Sequence, residues 1–185
     1  AYLGWLKGYT YIHEAMADSD INEVVVGSIS EITDGVIAAG FAEKNYANNY
    51  KEKELKRFSN ALLYDTIKRV AREPLRKIAY DNRLVLGMRI SMYNGQLPVN
   101  TAKGLKAALL YGEETDKEAT YLQNIRLNSS DSDILKNLGL SLIQVQKEWL
   151  LDRLVAVGVD LINVDVASGF NQNVLDIIKN IRGRY

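Results

Sequence analysis

Apolar residues recur along this chain at spacings of three and four rather than two, the pattern of helices that bury one face. Leu3, Leu6, Tyr9, Ile12 and Met16 form such a stripe and predict one helix over residues 1–16. Asp20 is placed to cap the next helix, with Glu23 three residues on closing a capping box. Behind that cap, Ile21, Val24, Val25, Ser28, Ile29, Ile32 and Val36 line a long face for burial against a partner helix. Gly35 and Gly40 bracket its end, and residues 41–49 read as a polar connection.

A charged helix is expected over residues 51–58 and another over 61–72, stopped by Pro74. Glu73 precedes that proline and is pushed out of the right-handed helical region. Asp81 or Asn82 caps an apolar segment ending near Tyr93, and Asn94-Gly95 marks a turn. Asn100 or Thr101 starts a helix to about Tyr111, followed by helices over 116–127 and 132–138. Residues 142–157 and 174–181 carry the last helical stripes, while 155–166 mix β-branched and alternating positions and fit neither pattern. With two prolines and no repeat or linker-like stretch in 185 residues, the expectation is a single all-α domain over residues 1–185.

Composition narrows the chemistry. Lysine and arginine number 23 against 23 acidic residues, which argues against a nucleic-acid or membrane-surface partner. Cysteine is absent, so disulfides and thiolate chemistry are excluded, and with one histidine, His13, no metal site is expected. A lone histidine without partner residues reads as structural. No apolar run reaches the length a membrane span needs. No glycine-rich dinucleotide or phosphate loop is present. The pairs Asp18/Asp20, Glu52/Glu54 and Asp131/Asp133 read as caps and solvated faces. A start at alanine suggests a processed chain or a domain cut from something longer.

The most informative feature is the basic run Lys68, Arg69, Arg72, Arg76, Lys77 and Arg83. On one continuous helix, Asp65, Arg69, Arg72 and Arg76 would stack on a single face; Pro74 interrupts that stripe and can turn Arg76 and Lys77 back toward Arg69 and Arg72. Guanidinium groups held together need an anion or carboxylates, and their forks match phosphate bidentately. Two readings stay open: an anion site, or a solvated face with Asp65, Glu73 and Asp81 as ion-pair partners.

The opening Ala1-Tyr2-Leu3-Gly4-Trp5-Leu6-Lys7-Gly8-Tyr9 and the blocks Arg57-Phe58-Ser59-Asn60, Asp65, Arg69-Val70-Ala71-Arg72-Glu73-Pro74-Leu75-Arg76-Lys77-Ile78 and Asp81-Asn82-Arg83-Leu84 carry a resemblance. They resemble the C-terminal domain of the mannitol-1-phosphate 5-dehydrogenases, within the polyol-specific long-chain dehydrogenases. The likeness is good over about the first 112 residues and weak afterwards. It departs from the family at Ala71, usually glycine, and Ala61, commonly proline. The resemblance implies a multi-helical substrate domain with a fold like the C-terminal domain of 6-phosphogluconate dehydrogenase. It implies substrate-binding residues Arg69 and Lys77, with Arg72 and Arg76 between them as in the sugar-phosphate branch. It further implies a cytoplasmic NAD-dependent enzyme interconverting mannitol 1-phosphate and fructose 6-phosphate. NAD would be bound by an N-terminal Rossmann domain, and a Lys-x4-Asn-x2-His catalytic motif would fall just upstream of Ala1. On that expectation this fragment holds no catalytic or cofactor-binding residue and is inactive alone. A hexuronate or unphosphorylated-polyol dehydrogenase of the same family, and a non-enzymatic helical interaction module, are the alternatives.

Overall fold

The computed structural model describes residues 1–129, and residues 1–124 form one compact unit. The helices expected over 132–138, 142–157 and 174–181, and the ambiguous 155–166, lie outside the described residues. Within them every regular element is helical, in agreement with the all-α expectation. The helices are α1 (Tyr2–Leu6), α2 (Ile12–Ala17), α3 (Ser19–Ala38), α4 (Lys44–Phe58), α5 (Ile67–Ala71), α6 (Pro74–Ile78), α7 (Arg83–Tyr93), α8 (Val99–Leu110) and α9 (Lys117–Asn128). None of them is long and apolar enough to cross a membrane.

The long stripe of α3 does what its spacing predicts: α3 packs on α7 and α8 and also touches α2 and α4. Its crossing with α7 is close because Gly35 carries no side chain; a Cβ there would lie 2.9 Å from the Cα of Ser91. Buried Ser91 sits in that contact, its hydroxyl donating to the carbonyl of Glu31 at 2.8 Å. Glu31 then ties α3 to α8. Its carboxylate accepts from the Asn100 and Thr101 backbone N–H groups at 2.8 and 2.9 Å, and from the Thr101 hydroxyl at 2.8 Å. These N–H groups are in the first turn of α8, where no helical carbonyl is available to them.

Four local expectations are corrected. The stripe over 1–16 is two helices, because Gly8 turns at φ +80° and Tyr11 is extended, pairing with Thr66 in an isolated antiparallel bridge. Leu3 and Tyr9 pack against the same cluster as Ile12 and Met16, so the spacing conceals the break, although Leu6 of that stripe is exposed. The cap of α3 is Asp18, whose Oδ1 accepts from the N–H groups of Asp20 and Ile21 at 3.0 and 3.1 Å; Asp20 instead pairs with Lys7. Helix α4 begins at Lys44, inside the stretch expected as a connection. The helix expected over 61–72 is a short 3-10 turn at Ala61–Leu63, an extended link and α5. Asn60 caps the turn, Tyr64 lies in the left-handed region at φ +47°, and Thr66 caps α5 through the Arg69 N–H.

The helix starts at Asn82 and Asp116 and the turn at Asn94-Gly95 stand as expected. One apolar cluster joins Ile12, Ala15, Met16, Ile21 and Ile67; another joins Ala71, Tyr111 and Ala119 under Tyr2 and Trp5. At about 25 cal/mol per Å2 of apolar area removed from water, such clusters are what holds short helices like α1 and α5 in place.

A basic elbow as the candidate functional site

The segment from α5 to the start of α7 folds back on itself at Glu73 and Pro74. Glu73 has φ +57° and ψ 58°, left-handed rather than extended, and Pro74 opens α6 at its first position, where its missing N–H costs nothing. The elbow is pinned from below by α9: the Glu73 N–H donates to Asp116 Oδ2 at 3.0 Å and the Leu75 N–H to Glu118 Oε2 at 2.9 Å.

This bend decides where the basic residues go. Asp65, Arg69, Arg72 and Arg76 do not share one helix face, since Arg72 lies past the end of α5 and Arg76 is on α6. Arg69 forms an ion pair with Asp65. Arg72 and Arg76 converge on Glu73: Arg76 Nη2 is 2.8 Å and its Nε 2.9 Å from Oε2, while Arg72 Nε is 3.9 Å from Oε1. All three arginines keep more than half of their side-chain surface exposed, at 58, 65 and 51%. Asp65 and Glu73 thus supply the carboxylates; Asp81 does not take part in these pairs.

Lys77 behaves differently. It is buried, and its ammonium donates to the carbonyls of Val70, at 2.6 Å, and Arg72, closing the C-terminal end of α5. It also stands 5.9 Å from the ring centroid of Tyr2. Burial, then the positive charges of Arg83, Arg76 and Arg72, push its pKa down to about 8, with Glu73 opposing. Lys68, the remaining member of the run, turns the other way and donates to Glu113 at 2.9 Å. Glu113 is nearly buried and also accepts from Thr115 at 2.9 Å and from the Trp5 indole at 3.4 Å. Lys68, more than the opposing effect of burial, holds its carboxyl below the usual range.

Beneath the elbow lies an aromatic floor: the crowding of Tyr2 and Trp5 in the first helix points to core, but the sequence does not show that Tyr111 joins them. Tyr2 and Trp5 meet Tyr111 edge-on, with centroids 5.3 and 5.2 Å apart. The hydroxyls of Tyr2 and Tyr111 are buried without a hydrogen-bond partner. Burial raises both phenols, Tyr111 to about 12; neighbouring Tyr111 and Asp116 add to the effect at Tyr2, and Asp116 and Glu113 at Tyr111. Arg83, from the Asp81-Asn82-Arg83-Leu84 block, acts on both Lys77 and Tyr2. Tyr2 and Arg83 stand in the motif blocks, but the meeting of Tyr2 with Tyr111 needs the tertiary contact of α1 with the end of α8.

His13 stacks on Tyr11 at 5.5 Å, away from this group. Among the described residues no three His, Cys, Asp or Glu side chains gather as a metal site would require. Nor do they contain a strand–glycine–helix unit into which a dinucleotide would fit.

A helical domain with a basic elbow between α5 and α6 is the class of structure on view. The chain belongs to the mannitol dehydrogenase C-terminal domain family, whose model matches residues 1–150, well past the 112 residues over which the motifs could be followed. Relatives named mannitol-1-phosphate 5-dehydrogenase include those of Caldanaerobacter subterraneus, 37% identical over 123 residues, and Oceanobacillus iheyensis, 39% over 124. A third, from Clostridium acetobutylicum, is 31% identical over 156 residues. These alignments take in 66, 66 and 84% of this chain but only 32, 32 and 40% of the relatives.

Proposed function

We propose that this chain is the substrate-side domain of an NAD-dependent polyol-phosphate dehydrogenase that interconverts mannitol 1-phosphate and fructose 6-phosphate. The observation that carries this reading is the elbow: Arg72, Arg76 and Arg83 all bring their charge to bear on Lys77, and Arg72 and Arg76 share the Glu73 carboxylate. Asp116 and Glu118 are engaged by backbone N–H groups of the elbow, and a phosphate would give the exposed Arg72 and Arg76 a partner that guanidinium forks match. The names of the relatives support a sugar phosphate as its source.

In this reading Arg72 and Arg76 hold the phosphate while Lys77 fixes the elbow between them, and Arg69 lines the approach from α5. Binding energy from that remote group orients the carbon that exchanges hydride with the nicotinamide. Neither the proton nor the hydride is moved by residues of this chain. That chemistry belongs to the Lys-x4-Asn-x2-His motif and the Rossmann domain expected upstream, in a cytoplasmic enzyme. Ala1 lies near Lys77, so a motif that stops a few residues upstream would end beside the elbow. Exposed Leu62 and Tyr64, beyond the Arg57-Phe58-Ser59-Asn60 block, offer apolar surface to such a domain.

The coding sequence upstream of Ala1 tests this directly. The expected result is the Lys-x4-Asn-x2-His block immediately before Ala1, preceded by a glycine-rich strand–helix unit. An unrelated domain or a stop codon there would leave the elbow as an ion-paired face and favour a helical interaction module.

A further inference from the structure

Glu73 occupies a backbone conformation that costs a non-glycine residue free energy, and strain of this kind is retained where surrounding structure and function require it. Its backbone is held from beneath by Asp116. Its side chain is about half exposed, at 46%, and lies between two guanidinium groups that are themselves more than half exposed. Exposed ion pairs of this kind are weak, so the carboxylate can be exchanged without disturbing the fold. The Arg76 pair nonetheless uses two nitrogens on one oxygen, the contact an incoming phosphate oxygen would make.

We propose that Glu73 is a resident counter-anion of the elbow, holding Arg72 and Arg76 in the absence of ligand and displaced by the phosphate that binds there. This rests on the anion-site reading above. The swap exchanges one negative group for another on the same two cations, and the left-handed backbone stays where Asp116 and Pro74 fix it. Because the carboxylate must leave before any anion can enter, it weakens all competing anions by one common factor. A monoanion with little affinity for the guanidinium pair is thereby kept out, while a phosphate, with charge near −1.5 to −2 and three acceptor oxygens, still binds.

The test is titration of the 185-residue chain with inorganic phosphate and with acetate. Arginine side-chain NMR resonances of Arg72 and Arg76 provide the readout, in wild type, Glu73→Gln and Arg76→Ala. Displacement predicts that Glu73→Gln tightens phosphate by about fivefold, the equivalent of one weak exposed ion pair, and tightens acetate by the same factor. A larger gain for phosphate than for acetate would mean that Glu73 stays in place and repels, which overturns the proposal. Weaker phosphate binding in Glu73→Gln would make it a positioning group instead, and overturns it equally. If phosphate leaves both arginine resonances unmoved in every variant, the anion-site reading itself fails. Thermal unfolding of each variant establishes that the exposed substitution leaves the fold intact.

Discussion

Lys77 shows how much of a residue's role depends on the direction in which its side chain points. The sequence places it eight residues after Arg69 and, by resemblance, in contact with substrate; the fold turns its ammonium onto the carbonyls of Val70 and Arg72. From there it holds the elbow that carries Arg72 and Arg76. Its pKa is pushed from 10.5 to about 8 in the folded chain, so between those values the unfolded state binds the extra proton. Stability therefore rises with pH across that window. Lys77→Met removes the group, and the rise between pH 8 and 10.5 should flatten in denaturant titrations that compare the variant with wild type. A parallel rise in both proteins would show that Lys77 is not the group responsible. The basic run, with Glu73 as one of its ion-pair partners, was legible in the sequence, but the contact that sets Glu73 between Arg72 and Arg76 was not. That contact depends on a left-handed φ, which a residue other than glycine seldom adopts.

At the scale of helices, spacing read best along α3 and worst where short helices pack into one cluster. The stripe of α3 was visible because its 20 residues give many turns of periodic signal. Helices α1 and α5 have five residues each and are held by clusters assembled from distant segments, so local pattern could not bound them. The α3–α7 crossing makes a prediction at this scale. At Gly35 a new methyl group would meet Ser91 backbone, Cα at 2.9 Å and N at 3.0 Å, which cannot rotate away. At Gly87, on the same pair of helices, it would meet the flexible end of the Ile32 side chain at 2.7 Å. Gly35→Ala should cost about 2–3 kcal/mol, at the upper end for an overpacked site, and Gly87→Ala about 1 kcal/mol or less, since glycine-to-alanine in a helix recovers part of the loss. Equal losses in chemical denaturation would show that the two helices are not in the close approach seen here.

For the whole molecule, the described residues gather their charged and aromatic side chains around one elbow. Its basic elbow, its aromatic floor and the Glu113 tie between α1, α5 and the approach to α9 all serve to hold cations in fixed places. Fold class was readable because helical periodicity ran through nearly every segment, and family membership because the arginine–proline block stands out despite its departure at Ala71. The residues beneath that block were not readable, since Tyr2 and Tyr111 are 109 positions apart and meet only through packing. The decisive measurement is a steady-state comparison of mannitol 1-phosphate, mannitol and a hexuronate with NAD, using the full-length enzyme that carries this domain. The account predicts a clear preference for the phosphorylated polyol. It also predicts that Arg72→Ala raises KM for that substrate by about tenfold, the loss of one charge-assisted contact, while KM for mannitol is unchanged. Equal use of mannitol, preference for the hexuronate, or an Arg72→Ala variant with an unaltered KM would contradict it.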